Sequence, residues 1–437
     1  MSEKRKHTFL LGMLLATSLP FFFAVKQPVS VGLSGNGLKA LLLYLSDVAG
    51  YVGLSLLMWQ FILGTRSVAA LFFADLASKL KLHKDLGTYG SVVFLLHPVL
   101  LILAYHEPWK YLIWPTLDGG YETAVTFGRL AFIGLLIIWV TSALLRGNIR
   151  YRPWKYIHYL SYPILLVALL HIPHTGDSFQ QPAIKFFWVS FVSVILLCTA
   201  LRMRHLFGYG KVPYEVLENS LLNERVYLLK LRAEHKKIGV SAGQYVYLQP
   251  GLRHEEHPFS VLEYDNETGE LLIAYKVFGA FTRKLSKMLA GETLLVDGSY
   301  GVFTRELNDV PPPGSVFIAG GIGMTPFFRH AFRRKDARYV LFYANQTVQS
   351  AVLRNQLKQH LGERYIDVFS REQPGSLSDT NIEYGYVNVT VIAKYVQDLA
   401  SRQYYICGPQ GLIDDLKKEL LEAGVPHANI HAEEFAF

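Results

Sequence analysis

HKDLGTYGSVVFLLH, residues 83–97, and HYLSYPILLVALLH, residues 158–171, decide how this chain is read. Each begins and ends with histidine, and most of what lies between is apolar. An ionisable ring in lipid is costly unless it binds something, so an intramembrane histidine is a functional hypothesis by default. A lone one could serve packing or an interhelical hydrogen bond, whereas two pairs at nearly equal spacing point to ligation. His83 and His97 are 14 residues apart, about 21 Å of helix rise, and His158 and His171 are 13 apart, about 20 Å. Two helices running the same way can therefore hold two stacked haems, His83 with His158 on one iron and His97 with His171 on the other. Phase is less regular, because 14 residues fall about 40° short of four turns and 13 about 140° short. Pro163, inside the second interval, offers a cause for rewinding or a kink. His106 and His174 are rivals for the second iron, but they sit at span ends and break the spacing.

Around these segments the chain is unusually apolar. Of 437 residues 51% are hydrophobic and the mean hydropathy is +0.21, with nearly all long charge-free runs before residue 202. Those runs, at 8–25, 48–65, 86–106, 130–145, 156–176 and 186–201, predict six bilayer-crossing helices over residues 1–205. The first follows Lys4, Arg5 and Lys6 like a signal peptide, but no clean small-residue cleavage motif follows, so it is read as a helix. Basic residues crowd the N-terminus, 66–84, 146–155 and 202–211, every other loop. By the positive-inside rule both termini and the second half then lie in the cytoplasm of an integral plasma membrane protein. The net charge of +8 belongs to this topology, so no nucleic-acid partner is expected, and no obligate protein partner is evident. Two cysteines, Cys198 and Cys407, are too few for a disulfide framework or a four-thiolate cluster, which leaves ligation to histidine.

From about residue 206 short alternating runs such as VYLLKLRA and GQYVYLQP predict an antiparallel β-barrel over 206–305. PPPG at 311–314 then precedes apolar strands alternating with helical stretches, the pattern of a parallel α/β domain over 306–437.

Three motifs carry the chemistry of this half. His257-Pro258-Phe259-Ser260 lies between strand patterns, with KVFGAFTRKL following from 276. Gly320-Gly321-Ile322-Gly323-Met324-Thr325-Pro326 follows a strand, and such glycines let a chain turn tightly and offer amides to a pyrophosphate. Cys407-Gly408-Pro409 ends another strand, although a cysteine there can also be a small buried hydrophobe. In this order the motifs resemble the ferredoxin-NADP reductase superfamily. With the histidine pairs, the chain resembles the ferric reductase and NADPH oxidase family over nearly all its length. Lacking calcium-binding loops, it is similar to the minimal bacterial oxidases of that family.

The resemblance implies three cofactors: FAD, two b-type haems and NADPH. It places His257, Pro258, Phe259 and Ser260 at the flavin, Gly279, Phe281 and Thr282 at its pyrophosphate, and Cys407 near the nicotinamide. Ser370 and Arg371, in SREQ after the strand YIDVF, would grip a ribose 2′-phosphate, a task suited to the guanidinium fork. From the ending HAEEFAF either Phe435 or Phe437 would stack on the flavin. The acceptor would be O2, giving superoxide, or a ferric chelate. Eukaryotic oxidases of the family place a histidine and an arginine near the outer haem, where this chain has Leu101 and Asp47. The outer-loop carboxylates Glu107, Asp118 and Glu122 are too scattered to form an iron platform. A proton channel or transporter is the reading from a different class, since membrane histidines also relay protons.

Overall fold

The computed structural model describes residues 3–24, 37–72, 76–175, 177–252, 254–304, 307, 314–333, 339–375 and 380–434. The chain divides into two compact units, Met1–Arg204 and His205–Phe437.

In the first unit the apolar runs form helices α1 (Glu3–Ala24), α2 (Gly37–Gly64), α3 (Arg66–Phe72), α4 (Leu76–Asp85), α5 (Ser91–Tyr105), α6 (Gly119–Trp139), α7 (Tyr151–Tyr159), α8 (Ser161–Thr175) and α9 (Pro182–Leu206). A π turn at Leu86–Gly90 joins α4 to α5, and another at Val140–Leu144 extends α6. Five helices among the described residues are long and apolar enough to cross a bilayer: Gly37–Gly64, Lys79–Tyr105, Gly119–Leu144, Tyr151–Thr175 and Pro182–Leu206. The sequence led us to expect six. The sixth expected run, 8–25, falls on the 22-residue α1, several of whose side chains lie outside the described residues.

The two histidine-bearing helices are irregular where their phase requires it. A π turn takes one residue more than an α turn, so the one inside the His83–His97 interval absorbs much of the difference from the 13-residue interval. In the other helix Pro163 has no N–H to give the Tyr159 carbonyl. The chain tightens at Leu160, whose N–H donates to the Ile157 carbonyl at 3.1 Å, and α8 starts afresh at Ser161. The unit's core joins Leu54, Leu57 and Leu63 of α2 to Leu135 of α6, Leu165 and Leu169 of α8, and Phe191 and Ile195 of α9. Leu96, Leu130, Leu136 and Leu197 stay exposed, as lipid-facing residues should.

The second unit contains two sheets. Strands β1 (Val212–Leu221), β2 (Val226–Ala233), β3 (Tyr245–Gln249), β4 (His257–Ser260), β5 (Glu263–Asp265), β6 (Glu270–Lys276) and β7 (Thr293–Tyr300) pair antiparallel in the order β4-β3-β7-β1-β2-β6-β5. Alternate residues such as Tyr214, Val216, Leu229, Leu231, Val246 and Leu248 point into one core. Among the described residues the order of the expected barrel runs out at β4, which pairs with β3, and at β5, which pairs with β6, with no strand pairing that closes it.

The other sheet is parallel throughout: β8 (Ser315–Gly320), β9 (Tyr339–Asn345), β10 (Tyr365–Phe369), β11 (Ile382–Tyr384), β12 (Gln403–Gly408) and β13 (Ile430–Glu434), in the order β11-β10-β9-β8-β12-β13. Every residue of YIDVF is buried, as expected for a strand covered on both faces.

Candidate functional site

Of the four candidate ligand histidines in the membrane unit, His97 and His83 face α2, and the Nδ1 atoms of His97 and His171 are held by facing helices. Gly50 and Gly64 of α2, 14 residues apart, lie opposite His97 and His83 in one antiparallel register. At His97, Nδ1 lies 2.9 Å from the Ser46 carbonyl and 3.0 Å from its hydroxyl. At His171, Nδ1 lies 3.0 Å from the Ala124 carbonyl. A carbonyl can only accept, so each Nδ1 carries the proton and each Nε2 keeps a lone pair, the arrangement that metal-bound histidines use. Room for these rings comes from glycine. A Cβ at Gly128 would lie 2.8 Å from the His171 Nδ1, and one at Gly50 3.1 Å from that of His97.

The other pair is held differently. His158 stacks on Trp154 with centroids 5.1 Å apart, and its Nδ1 lies 3.2 Å from the Ser142 hydroxyl, which also accepts the Trp154 indole N–H. Gln60 donates to the His83 carbonyl at 3.0 Å, while the His83 Nδ1 is buried without a hydrogen-bond partner. The His83 and His158 ring centres are 6.1 Å apart. Two imidazoles on one metal, with bonds of about 2.0 Å and the ring radii added, would be centred about 6 Å apart. The His83 and His158 rings therefore fit one bis-histidine iron by their spacing, and the His97 and His171 rings suit a second by their protonated Nδ1 atoms. His106 and His174, the rivals, are exposed at the ends of α5 and α8.

In the second unit HPFS forms β4, and it meets the 276–285 segment through rings. Phe281 packs at 4.2 Å from His257 and 5.8 Å from Phe259, leaving Pro258 exposed. The Thr282 hydroxyl accepts from the N–H groups of Phe278 and Gly279, so it fixes this turn and takes up the Gly279 amide that sequence had offered to phosphate. The loop before β4 is pinned by Glu256, 3.1 Å from the His205 imidazole and 3.3 Å from the Lys211 ammonium.

GGIG and CGP come together at the carboxyl ends of neighbouring strands β8 and β12, where open α/β sheets bind ligands. A Cβ at Gly323 would strike the Cys407 carbonyl at 2.3 Å, so only glycine allows that approach. Gly321 turns in the left-handed region (φ +56) with open space beyond its Cα. Thr325 and Pro326 start the following helix, as Pro at an N-terminus favours. Cys407 is fully buried, and burial, then nearby Glu433, push its thiol well above the usual range. Ser370 and exposed Arg371 leave the end of β10, tied by their amides to the Asn345 and Gln346 carbonyls, and Glu372 accepts the Val348 N–H at 2.9 Å. Phe435 and Phe437 lie outside the described residues; β13 reaches Glu434, paired with Gly408.

Sequence reasoning missed Ser46, Gly50, Gly128, Ser142 and Trp154. The small residues Ser46, Gly50 and Gly53 on one helix face were the available signal, because they mark close helix approach.

Three family models match the chain: a ferric reductase like transmembrane component over residues 49–169, an oxidoreductase FAD-binding domain over 216–304 and an oxidoreductase NAD-binding domain over 317–418. The carnitine monooxygenase reductase subunit of Escherichia coli K12 is 28% identical over 124 residues, 28% of this chain and 35% of that one. The electron transfer subunit of dihydroorotate dehydrogenase B (NAD(+)) from Listeria monocytogenes is 24% identical over 227 residues, 48% of this chain and 78% of that one. The chain thus spans about a third of the first of these relatives and over three quarters of the second. Among solved structures, the flavohem-like FAD/NAD-binding domain of nitric oxide dioxygenase from Vibrio cholerae O1 biovar El Tor aligns at 18% identity and TM-score 0.44, covering 52% of this chain and 99% of that one.

A ferric reductase like transmembrane component followed by oxidoreductase FAD-binding and NAD-binding domains is the domain content these matches give the chain. The chain has the architecture of the ferric reductase and NADPH oxidase family.

Proposed function

We propose that the chain passes electrons from cytoplasmic NADPH, through FAD and two b-type haems, to an acceptor beyond the membrane, with O2, giving superoxide, ahead of a ferric chelate. Its domains are taken as 1–205, 206–305 and 306–437, with α1 as a sixth span and both termini cytoplasmic. When bound, FAD takes up a hydride and releases electrons singly, and the haem irons relay them one at a time.

The chain's own residues position and insulate these groups. His83 with His158, and His97 with His171, would each hold one haem iron, the first pair beside the basic ends of their helices and hence on the inner side. The GGIG and CGP turns receive the dinucleotide, and Arg371 grips its 2′-phosphate. Cys407, held as a neutral thiol, borders the nicotinamide without competing as a nucleophile. Phe435 or Phe437 shields the flavin until the nicotinamide displaces it.

The observation that carries this reading is the commitment of the His97 and His171 Nδ1 atoms to carbonyls, which leaves each Nε2 a lone pair suited to metal, that of His171 lying 3.3 Å from the Thr175 hydroxyl. A ferric chelate is kept as the alternative acceptor because Leu101 and Asp47 stand where eukaryotic oxidases of the family place a histidine and an arginine, donors suited to developing superoxide charge. The test is a reduced-minus-oxidised spectrum of purified protein after NADPH, then cytochrome c reduction with and without superoxide dismutase. Missing haem absorbance would sink the electron-transfer route and favour a proton relay. Dismutase-insensitive turnover with fast anaerobic ferric reduction would reverse the order of acceptors.

A further inference from the structure

Arg129 of α6 is a buried cation with three of its five N–H groups making no hydrogen bond. Its side chain is 5% exposed, and its guanidinium carbon lies 4.1 Å from the Tyr111 ring centre. Nη1 donates to the Thr116 hydroxyl at 2.7 Å and approaches that of Thr126 at 3.4 Å. The Thr126 hydroxyl in turn binds both the N–H and the carbonyl of Thr116, so the loop is pinned over the helix. Nε and Nη2, however, are buried with no hydrogen-bond partner. Glu122 lies 3.6 Å from Nη2, beyond hydrogen-bond reach, and instead accepts the Thr116 hydroxyl at 2.5 Å.

The unused atoms are not scattered. Nε and Nη2 form the edge of a guanidinium whose two parallel N–H bonds match the two oxygens of a carboxylate. Stacking on Tyr111 and the bond to Thr116 hold that edge in one orientation. Arg129 follows Gly128, the residue packed on His171, and stands about 100° round the helix from it. A buried arginine cannot shed its proton to relieve the missing bonds.

We propose that the Nε–Nη2 edge of Arg129 is a carboxylate seat beside the His97–His171 site, and that it takes a propionate of the porphyrin held there. This rests on the haem reading above. The other source of the same chemistry is a carboxylate of an incoming ferric chelate. With a propionate in the seat, the arginine anchors the porphyrin's orientation. Its positive charge also favours the reduced iron.

The experiment uses full-length protein in lipid nanodiscs, with Arg129→Met to remove charge and donors and Arg129→Lys to keep the charge without the fork. Bound FAD and NADPH-driven flavin reduction check folding. Haem content, the two haem midpoints by potentiometry, and reconstitution with haem or its dimethyl ester are then compared. The seat predicts that Arg129→Met lowers one midpoint and leaves the other, and weakens retention of that haem about tenfold, the scale of one lost charge-assisted hydrogen bond. Arg129→Lys should restore part of the midpoint. In wild type the ester should be retained as weakly as haem is in Arg129→Met, and the two changes together should add nothing. A rise in KM for ferric citrate but not for ferricyanide, with haem content, midpoints and ester sensitivity unchanged, assigns the seat to the chelate instead. If wild type shows no haem the haem reading fails, and the propionate assignment with it, while citrate binding to wild type and Arg129→Met, measured by calorimetry, still tests the seat. Unchanged haem properties together with unchanged citrate KM would overturn the proposal.

Discussion

His97 and His171 are gripped at Nδ1 by backbone carbonyls of the facing helix, each ring seated in a notch that a single Cβ would fill. His83 and His158 have no such grip. One rests on a tryptophan and a serine hydroxyl, and the other keeps a buried Nδ1 without a hydrogen-bond partner. Carbonyls belong to helices that cannot turn aside without unwinding, whereas hydroxyls and indoles rotate. The first pair is therefore preorganised by main chain and the second by side chains, and the two should respond differently to substitution.

The largest effect should come from the ligands themselves. His97→Ala or His171→Ala is expected to remove one haem of two and leave the other, read as haem per protein by pyridine haemochrome with FAD content unchanged. Equal loss of both haems from a folded protein would mean that the pairing is wrong.

Gly128→Ala tests the notch without touching a ligand. The new Cβ, 2.8 Å from the His171 ring, cannot be accommodated unless the ring moves, so haem on that pair should be largely lost or shifted in spectrum. Gly50→Ala, at 3.1 Å from His97, demands a few tenths of an ångström and should do less. A protein indifferent to Gly128→Ala would show that this ring is as free as its counterpart at His158.

A smaller loss is expected at the other pair from Ser142→Ala. The His158 Nδ1 and the Trp154 indole would both lose their shared hydroxyl, but the stacking survives. Outer partners of metal-bound histidines matter by about 10- to 100-fold in affinity, and the remaining stack argues for the lower end. The check is a titration of haem into protein stripped of it. A loss as complete as that from His171→Ala would place the hydroxyl on a par with a ligand.

This contrast also marks what could be read from sequence. The histidine pairs, HPFS, GGIG, SREQ and CGP could be singled out as candidates because each carries a local signal, in its side chains or, for GGIG, in the lack of them. The grips could not. Ala124 contributes only a carbonyl, which any residue possesses, and nothing near 124 announces that His171, 47 residues on, will face it. The π turn at Leu86–Gly90 was equally hidden, although the mismatch between intervals of 14 and 13 residues had posed the question it answers. Pro163 was legible as a breaker, and it acts three residues upstream, at Leu160, because the carbonyl it strands is that of Tyr159. Five of the six expected spans were legible as charge-free runs and appear among the described residues; the other falls on α1, several of whose side chains lie outside them.

The smallest effect should be at Gly64, the glycine facing His83 in the same register in which Gly50 faces His97. Its Cβ would stand 3.8 Å from the His83 ring, ordinary van der Waals contact, so no atom has to move. What remains is the backbone term. Alanine restricts the unfolded chain more than glycine and favours a helix by up to about 1 kcal/mol. Gly64 is the last residue of α2, where fewer helical bonds depend on it, so a gain of about 0.3 kcal/mol is the reasonable scale. Gly64→Ala is accordingly expected to keep both haems and raise thermal stability slightly, measured by the temperature at which the haem absorbance is lost. If it instead displaced the His83–His158 haem as Gly128→Ala displaces the other, the two pairs would be gripped alike. The orphan Nδ1 of His83 would then need a partner from the bound group itself.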